Sequence, residues 1–399
     1  MQANPLTLHV RLTKACNADC SYCSSWQESP DQRMRPKQLE KVVRFILDSA
    51  PVELGVKHTH LTVQFLGGEI ALVPLAELKE HVALMKRLSH EYGLTCIVGA
   101  QSNLIVSERR AAELYDLFEG RIGTNIDLTS QTRTVKGDAE RYRLIWKSAD
   151  NYLRAKRSVP GAIYVVEPDK LPDAMHHLLD SAKSGRAITF RPIFVGGIKD
   201  VRVNPAQAYT DSLTQLFDRW FLKLPIIAEP FFQLCENRIS EVAGLSRVVS
   251  TTCAYQSDCT KKSINIDPNG DLHVCLEMAD AGLTPIGNGL SGQWDRQALS
   301  VYASRPDHLQ QDCLKCPYFK SCQGGCMYES IAQGAGAHGR STYCHTWKAI
   351  FARIDQAIEE HGAEFVHNWL QRVATRHANF RNEGMARAVL CREVVSATE

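Results

Sequence analysis

The stretch Cys16-Asn17-Ala18-Asp19-Cys20-Ser21-Tyr22-Cys23 is a C-x3-C-x2-C run that follows the first apolar segment of the chain. Three thiolates this close together can bind three irons of a [4Fe–4S] cube, whose full ligation takes four cysteines. The fourth iron then keeps an open position, as catalytic metal sites do. The alternative is zinc, but a structural zinc ion takes four N or S ligands, and the next histidine is His58.

The composition is that of a globular protein with two domains or one large one. The chain has 399 residues, of which 44% are hydrophobic and 23% charged, with a formal net charge of +2. So small a charge predicts neither nucleic acid nor an anionic membrane as a partner. The basic residues between Arg133 and Arg157 are interspersed with acidic ones, which is typical of a solvated helix. No secretion signal or membrane span is evident, so we expect a cytoplasmic location.

The cysteines cluster in two parts of the chain. Of the 14 cysteines, three lie at 16–23 and nine between 235 and 344, whereas Cys96 and Cys391 stand alone. In a reducing compartment, cysteines grouped in this way indicate metal binding or catalysis rather than disulfides. We expect Cys96, Cys235 and Cys391 to be buried thiols without a ligand role.

The first 225 residues alternate between segments with strand and helix periodicity. Strands are predicted at 6–12, 60–66, 94–100, 121–128, 162–166 and 187–193. Strands that alternate with helices form parallel sheets, and their active sites lie at the carboxyl ends of the strands. Six units are too few for an eight-stranded barrel. We therefore predict an α/β fold with a partial (β/α)6 barrel over 1–225, a cysteine-rich domain over 226–345 and a C-terminal helical segment over 346–399.

The first cysteine run, with aromatic Tyr22 before its last cysteine, resembles the signature of the radical S-adenosylmethionine (SAM) enzymes. The resemblance implies a [4Fe–4S] cluster whose open iron binds SAM. Reductive cleavage of SAM would give a 5′-deoxyadenosyl radical that abstracts a hydrogen atom from the substrate. In such enzymes the cofactors carry the chemistry and the protein supplies orientation. An electron donor such as flavodoxin or ferredoxin is implied as a partner.

Each of the next three predicted strands has a polar segment at its carboxyl end. These segments are Gly67-Gly68-Glu69, Gln101-Ser102-Asn103 and Asn125-Ile126-Asp127. Glycines let a backbone approach a ligand, and a carboxylate can accept hydrogen bonds from an ammonium group. These segments resemble the family's Gly-Gly-Glu, QTNG and SLDG segments, although the chain has Ile70 where Pro is usual and Asn125 where Ser is usual. The resemblance implies a SAM site lined by Tyr22, Gly67, Gly68, Glu69, Gln101, Asn103, Asn125 and Asp127. Arg143 is the implied partner of the SAM carboxylate, and Arg141 is placed equally well.

The second cysteine array reads Cys259-x15-Cys275, then Cys313-x2-Cys316-x5-Cys322-x3-Cys326-x17-Cys344. Its spacing resembles the SPASM domain of peptide-modifying radical SAM enzymes. Cys253 adds an eighth thiolate, and eight thiolates can ligate two [4Fe–4S] cubes. The resemblance assigns one auxiliary cluster to Cys253, Cys259, Cys275 and Cys326. It assigns the other to Cys313, Cys316, Cys322 and Cys344. The chain is thus predicted to hold three clusters, and a pair of zinc ribbons is the alternative.

Two auxiliary clusters favour a net oxidative reaction, because an electron leaving a substrate radical needs an acceptor. We predict a maturase that forms a carbon–carbon, ether or thioether crosslink in a ribosomally made precursor peptide. The first alternative is an anaerobic sulfatase-maturating enzyme that oxidises Cys or Ser to formylglycine. Those enzymes place a catalytic Asp where this chain has Leu276, so Glu277 is the candidate base. A non-enzymatic iron–sulfur or zinc-binding protein is the other alternative, which the open three-cysteine site disfavours.

Overall fold

The computed structural model describes residues 4–21, 23, 32–126, 128, 131–192, 206–245 and 256–396. Three predicted site residues, Tyr22, Asp127 and Cys253, lie outside these ranges. The six predicted β/α units are present, and the predicted α/β fold class is confirmed. The units comprise β1 (Pro5–Arg11), α1 (Pro36–Glu53), β2 (His60–Leu66), α2 (Leu75–Glu91), β3 (Thr95–Gln101), α3 (Glu108–Leu117), β4 (Ile122–Asn125), α4 (Ala139–Lys156), β5 (Gly161–Val166), α5 (Leu171–Ser184), β6 (Ile188–Pro192) and α6 (Ala206–Trp220).

The rest of the chain forms short strands and helices, followed by two long helices. The elements are β7 (Ala228–Glu229), α7 (Phe231–Val242), β8 (Ser263–Ile266), β9 (Asp271–His273), α8 (Leu276–Asp280), β10 (Gly287–Asn288), β11 (Gln293–Trp294), α9 (Arg296–Ala303), α10 (Arg305–His308), α11 (Gln311–Leu314), α12 (Phe319–Cys322), α13 (Met327–Ala332), α14 (Cys344–His361) and α15 (Ala363–Ser396).

All described strands belong to one sheet in the order β11-β10-β9-β8-β1-β2-β3-β4-β5-β6-β7. Strands β1 to β7 are parallel to their neighbours in chain order. On its other edge β1 pairs in parallel with β8, where Val10 lies opposite Ile266. The remaining strands continue from β8 in antiparallel pairs. The strand that leads into the first cysteine run is therefore hydrogen-bonded to the C-terminal half of the chain.

Strand β1 divides its side chains between two faces, as alternation along a strand requires. Leu6, Leu8 and Val10 are fully buried in the core, where each large aliphatic side chain contributes about 1.5–3 kcal/mol. His9 and Arg11 alternate with them and lie on the opposite face. Arg11 there forms a salt bridge with Asp280 at the end of α8. The polar face of β1 thus meets the region around the second cysteine array.

The two C-terminal helices pack against the last barrel helices. Trp369 of α15 contacts Trp220 of α6 edge to face, with ring centroids 5.0 Å apart. Asp355 of α14 accepts a hydrogen bond from Arg238 of α7 at 2.6 Å. The C-terminal helices therefore extend the core through α6 and α7. In the part of the chain that the structure describes, no helix combines the length and apolar character needed to cross a membrane.

Candidate active site

The loop that carries the first three cysteines is held by the segment before α4. The backbone N–H of Asp19 donates to Thr134 O at 3.0 Å, and that of Ser21 donates to Thr132 O at 2.8 Å. The Asp19 carboxylate accepts from the Thr134 hydroxyl at 2.8 Å and from Gly137 N at 3.1 Å. The cysteine loop is thereby fixed against the fourth β/α unit, across the carboxyl ends of β2 and β3.

The glycine pair after β2 lies directly beneath this loop. Gly68 N donates to Thr13 O at 2.9 Å, and Glu69 N donates to Ala15 O at 2.8 Å. A Cβ atom on Gly68 would lie 2.1 Å from Ala15 O, and one on Gly67 would lie 2.3 Å from Thr13 O. Gly67 also has a φ of +144°. Only glycine at both positions therefore allows the start of the cysteine loop to approach β2 this closely. The contact of the two glycines with SAM stays a prediction.

The Glu69 carboxylate is oriented by three hydrogen bonds at the ends of β2 and β3. Only 1% of the residue is exposed. One oxygen accepts from the Ser102 hydroxyl at 2.7 Å and from Ala71 N at 2.8 Å, and the other accepts from Asn103 N at 2.6 Å. Burial raises the pKa of this carboxyl, although these hydrogen bonds oppose the shift. The result is a fixed, buried acceptor next to the cysteine loop.

The three cysteines lie near one another and near this carboxylate. The pKa of the Cys16 thiol is raised to about 12, mainly by burial and to a lesser extent by the negative charges of Glu69, Cys20 and Cys23, while a hydrogen bond from the Ala18 backbone N–H opposes the shift. Such thiols lose their protons when a cation coordinates them. These three thiols can therefore serve as the thiolate ligands of an iron–sulfur cluster.

Two side chains donate to cysteine sulfurs. Asn103 Nδ2 lies 3.7 Å from Cys16 Sγ, and it also donates to Asn17 Oδ1 at 2.8 Å. Arg133 Nη1 lies 3.7 Å from Cys20 Sγ, and only 6% of Arg133 is exposed. The assignment of Arg133 to a solvated helix was therefore wrong, because the residue precedes α4 and is buried. Its contact with Cys20 spans 113 residues, so no local pattern indicates it.

The other predicted SAM residues are placed around β3, β4 and α4. Gln101 Nε2 donates to Asn125 Oδ1 at 3.1 Å. Arg143 is half-buried, donating to Leu128 O at 3.2 Å and to the Glu140 carboxylate at 2.8 Å. Arg141 is exposed. Of the two arginines that the sequence left open, Arg143 lies nearer the strand end, and its contact with a ligand stays a prediction.

Four cysteines of the second array line one partly open cavity: Cys313, Cys316, Cys322 and Cys344. Tyr318, Phe319, Trp347 and Phe351 form much of the wall. Burial raises the pKa of Cys322 to about 12, and the charges of the other three cysteines add to the shift. A four-thiolate donor set in an apolar cavity fits the second predicted cluster. Within the described ranges, no three or more His, Cys, Asp or Glu side chains converge on one point as the ligands of a single metal ion do. The four thiols of a cube bind four different irons, so the cavity supplies the donors, and the cluster itself stays a prediction.

The other predicted cluster has three described ligands, Cys259, Cys275 and Cys326. Cys259 and Cys275 are buried, and Cys326 is half-buried directly before α13. Burial raises the pKa of the Tyr328 hydroxyl, and the charges of Glu277, Cys275 and Cys326 add to the shift, so both cysteines lie near Tyr328. Of the three thiols predicted to have no ligand role, Cys235 is fully buried, Cys96 is half-buried, and the side chain of Cys391 lies outside the described residues.

Glu277, the candidate base, lies in the first turn of α8, directly after Cys275 and Leu276. Its carboxylate accepts a hydrogen bond from Arg191 Nη1 of β6 at 2.7 Å, and His9 of β1 is a further neighbour. Burial alone would raise the pKa of Glu277, but Arg191 and His9 outweigh it, so the pKa lies below its usual value. Glu277 is thus a paired, ionised carboxylate between β1 and β6.

Comparison with known proteins identifies relatives along most of the chain. No family model matches. A cysteine-type anaerobic sulfatase-maturating enzyme of Clostridium perfringens is 22% identical over 385 residues, covering 87% of this chain and 95% of that protein. The structure of native anSMEcpe with bound AdoMet, which is SAM, matches with a TM-score of 0.65 and 19% identity over 89% of this chain and all of that one. Streptococcus suis SuiB bound to S-adenosylmethionine matches with a TM-score of 0.53 and 15% identity over 86% and 77% of the two chains.

Fold, cysteine motifs and sequence similarity agree: this chain is similar to the radical SAM enzymes that act on peptides or proteins, and it shares their fold. The resemblance identified from the cysteine runs is confirmed at that level. Within the class, the similar proteins are sulfatase maturases and SuiB. Both have also been solved with peptides, anSMEcpe with the Cp18Cys peptide and SuiB with its precursor peptide SuiA.

Proposed function

We propose that this chain is a radical SAM maturase that abstracts a hydrogen atom from a side chain of a ribosomally made precursor peptide and forms an oxidative crosslink. The crosslink joins carbon to carbon, oxygen or sulfur. The peptide-bound structures of both kinds of relative support a peptide as the substrate. An external one-electron donor, such as flavodoxin or ferredoxin, would start each turnover.

In this proposal Cys16, Cys20 and Cys23 hold the SAM-binding cluster, which when bound to SAM supplies the 5′-deoxyadenosyl radical. Asn103 and Arg133 place donors on two of the sulfurs, and such hydrogen bonds help to set the reduction potential of a cluster. The fixed Glu69 carboxylate is the acceptor for the SAM ammonium group. The protein thus orients the sulfonium and buries the cluster, so that water is kept away from the radical.

The cysteine array after residue 253 holds two further clusters in this proposal. The cavity that four of its cysteines line is the main support for one of them. Three cubes of four irons each predict about 12 irons per chain. We further propose that the chain is divided as the sequence suggests, with the SAM site in 1–225, the auxiliary clusters in 226–345 and helices in 346–399.

The observation that favours a crosslink over formylglycine formation lies beside Cys275. The residue that follows it is Leu276, and the nearest carboxylate, Glu277, is neutralised by Arg191. A carboxylate with a lowered pKa is a weak base, whereas a general base works best with a pKa near the operating pH. The sulfatase-maturase reaction, as the resemblance describes it, uses an Asp as the base at the position of Leu276.

Sulfatase maturation is the second candidate, and one observation favours it. The anSMEcpe structure is matched over its whole length and gives a higher TM-score than SuiB does. The Clostridium perfringens relative is itself a cysteine-type anaerobic sulfatase-maturating enzyme. Under this candidate Glu277 would have to leave Arg191 when the peptide binds.

Mass spectrometry of peptides separates the two candidates. The anaerobically reconstituted protein is incubated with SAM, a reductant and either a candidate precursor peptide or a sulfatase-derived Cys peptide. The proposal predicts 5′-deoxyadenosine and a precursor peptide that loses two hydrogens without gaining an aldehyde. Reaction of the sulfatase-derived peptide, with loss of its sulfur and a product that couples to a hydrazide, would support the second candidate instead. No 5′-deoxyadenosine from fully iron-loaded protein would refute both.

A further inference from the structure

Arg305, at the start of α10, is completely buried. Its exposed fraction is 0%. Nη1 donates to Ala337 O and to Gly339 O, the latter at 2.8 Å, and Nη2 donates to Gly324 O at 3.1 Å and to Gly325 O at 3.4 Å. Nε has no hydrogen-bond partner among the described residues. The guanidinium is therefore bound by backbone carbonyls alone.

Arg305 differs in this respect from the other two fully buried arginines of the described chain. Arg186 forms a two-point salt bridge with Asp150 at 2.7 Å, and Arg11 pairs with Asp280. Arg305 forms no salt bridge with a carboxylate in the described ranges. An arginine cannot lose its proton, and burying an uncompensated charge costs several kcal/mol. The site therefore needs negative charge from another source.

The acidic groups that face Arg305 are the buried carboxyl of Glu329, whose pKa burial raises to about 7, and cysteines of both predicted auxiliary sites. Burial lowers the pKa of Arg305, and the charges of four cysteines act against that shift: Cys259 and Cys326 from the first site, and Cys313 and Cys322 from the second. The geometry agrees, since two carbonyls that Arg305 binds, those of Gly324 and Gly325, lie in the chain between Cys322 and Cys326. Arg305 thus binds the short segment that joins Cys322, a predicted ligand of the second site, to Cys326, a predicted ligand of the first.

We propose that Arg305 is the shared counter-ion of the two auxiliary clusters and raises the reduction potential of both. The inference rests on the proposed presence of these clusters. A cube with four thiolates is negatively charged and gains one more negative charge when it accepts an electron. A buried cation stabilises the reduced form more than the oxidised form, and net charge is one determinant of cluster potential. Arg305 would thereby favour electron transfer from the substrate radical into this pair of clusters.

The test is an EPR-monitored redox titration of the anaerobically reconstituted full chain. A C16A/C20A/C23A background removes the SAM-binding cluster, so that only the auxiliary signals remain. R305M should shift both midpoint potentials to more negative values. We expect at least a tenfold change in the reduction equilibrium of each cluster, which corresponds to 59 mV for one electron. The matched control is R340M, since Arg340 lies at the same cavity but is 46% exposed and screened by solvent. R340M should shift the midpoint potential of the cluster at Cys313, Cys316, Cys322 and Cys344 by less than a third of that amount.

If R305M does not bind its auxiliary clusters, the variant R305K still tests the proposal. Lysine retains the charge but cannot bind four carbonyls in one plane. A counter-ion role predicts that R305K holds both clusters at potentials near those of the parent. Loss of both clusters in R305K would overturn the proposal, and so would unchanged potentials in an assembled R305M. Wild-type protein that reconstitutes with only about 4 irons per chain, one cube, would overturn the cluster assignment itself.

Discussion

Replacing Gly68 with alanine tests whether the cysteine loop is fixed by its contact with the end of β2. The added Cβ would lie 2.1 Å from Ala15 O, with Lys14 O at 2.5 Å. Both are backbone atoms, so no side-chain rotation relieves the clash, and the loop that carries Cys16 must move away from β2. We expect G68A to lose the SAM-binding cluster while keeping the two auxiliary clusters.

The cost in stability can be worked out from the same contacts. Overpacking of a tight site costs about 1–3 kcal/mol. Displacing the loop also breaks the bonds from Gly68 N to Thr13 O and from Glu69 N to Ala15 O, each worth about 0.5–1.5 kcal/mol. G68A should therefore lower the free energy of unfolding by roughly 2–6 kcal/mol.

The matched control is Gly161 in β5, whose added Cβ would meet only Ala187 O at 3.9 Å. G161A should bind iron like the wild type, with a free energy of unfolding within about 1 kcal/mol of it. The assays are denaturant unfolding of the iron-free chains and iron content after anaerobic reconstitution. Wild-type iron content and stability in G68A would refute the reasoning, because the loop would then not depend on this close approach.

Three further predictions concern other parts of the molecule. Arg133→Met should reduce binding of the SAM-site cluster, whereas Arg133→Lys should retain more of it, because the cation beside Cys20 offsets thiolate charge; EPR of the reduced proteins checks both. Cys313→Ala combined with Cys316→Ala should lower the iron content by about 4 per chain, one cube, while 5′-deoxyadenosine still forms. Burial raises the pKa of Glu229 to about 7, so the folded state retains a proton there that the unfolded state releases near its usual value of 4.5. Stability should therefore fall as pH rises from 4.5 to 7. Glu229→Gln should reduce that slope in unfolding measurements between pH 5 and 8 without abolishing it, because burial also raises the pKa of Glu236 and of Glu329 to about 7.

The barrel elements could be predicted from the sequence because each is long and periodic. The apolar residues of β1 alternate with His9 and Arg11, and α4 begins at a polar cap, Asp138, whose carboxylate accepts from Arg141 N. Signals of this kind can be read from the residues of a single strand or helix, without knowledge of its neighbours in the fold. The second cysteine array could also be recognised, since its spacing is a property of the chain alone.

Other features depend on contacts between distant residues. The pairing of β1 with β8 joins residues more than 250 positions apart, and β8 has only four residues, too few to show periodicity. The contact of Arg133 with Cys20 and the burial of Arg305 among carbonyls are likewise invisible locally. The glycine pair was recognised, but its structural cause, the crossing of the cysteine loop, follows only from the fold.

The position of β1 between β2 and β8 has a consequence for biosynthesis. β1 leaves the ribosome about 250 residues before its second partner, residues 263–266. Until then one edge of β1 offers unpaired backbone groups, which are a template for intermolecular association. Closing so long a loop is also slow, because contacts distant in sequence delay folding. During synthesis, the unpaired edge of β1 can therefore associate with other chains until residues 263–266 pair with it.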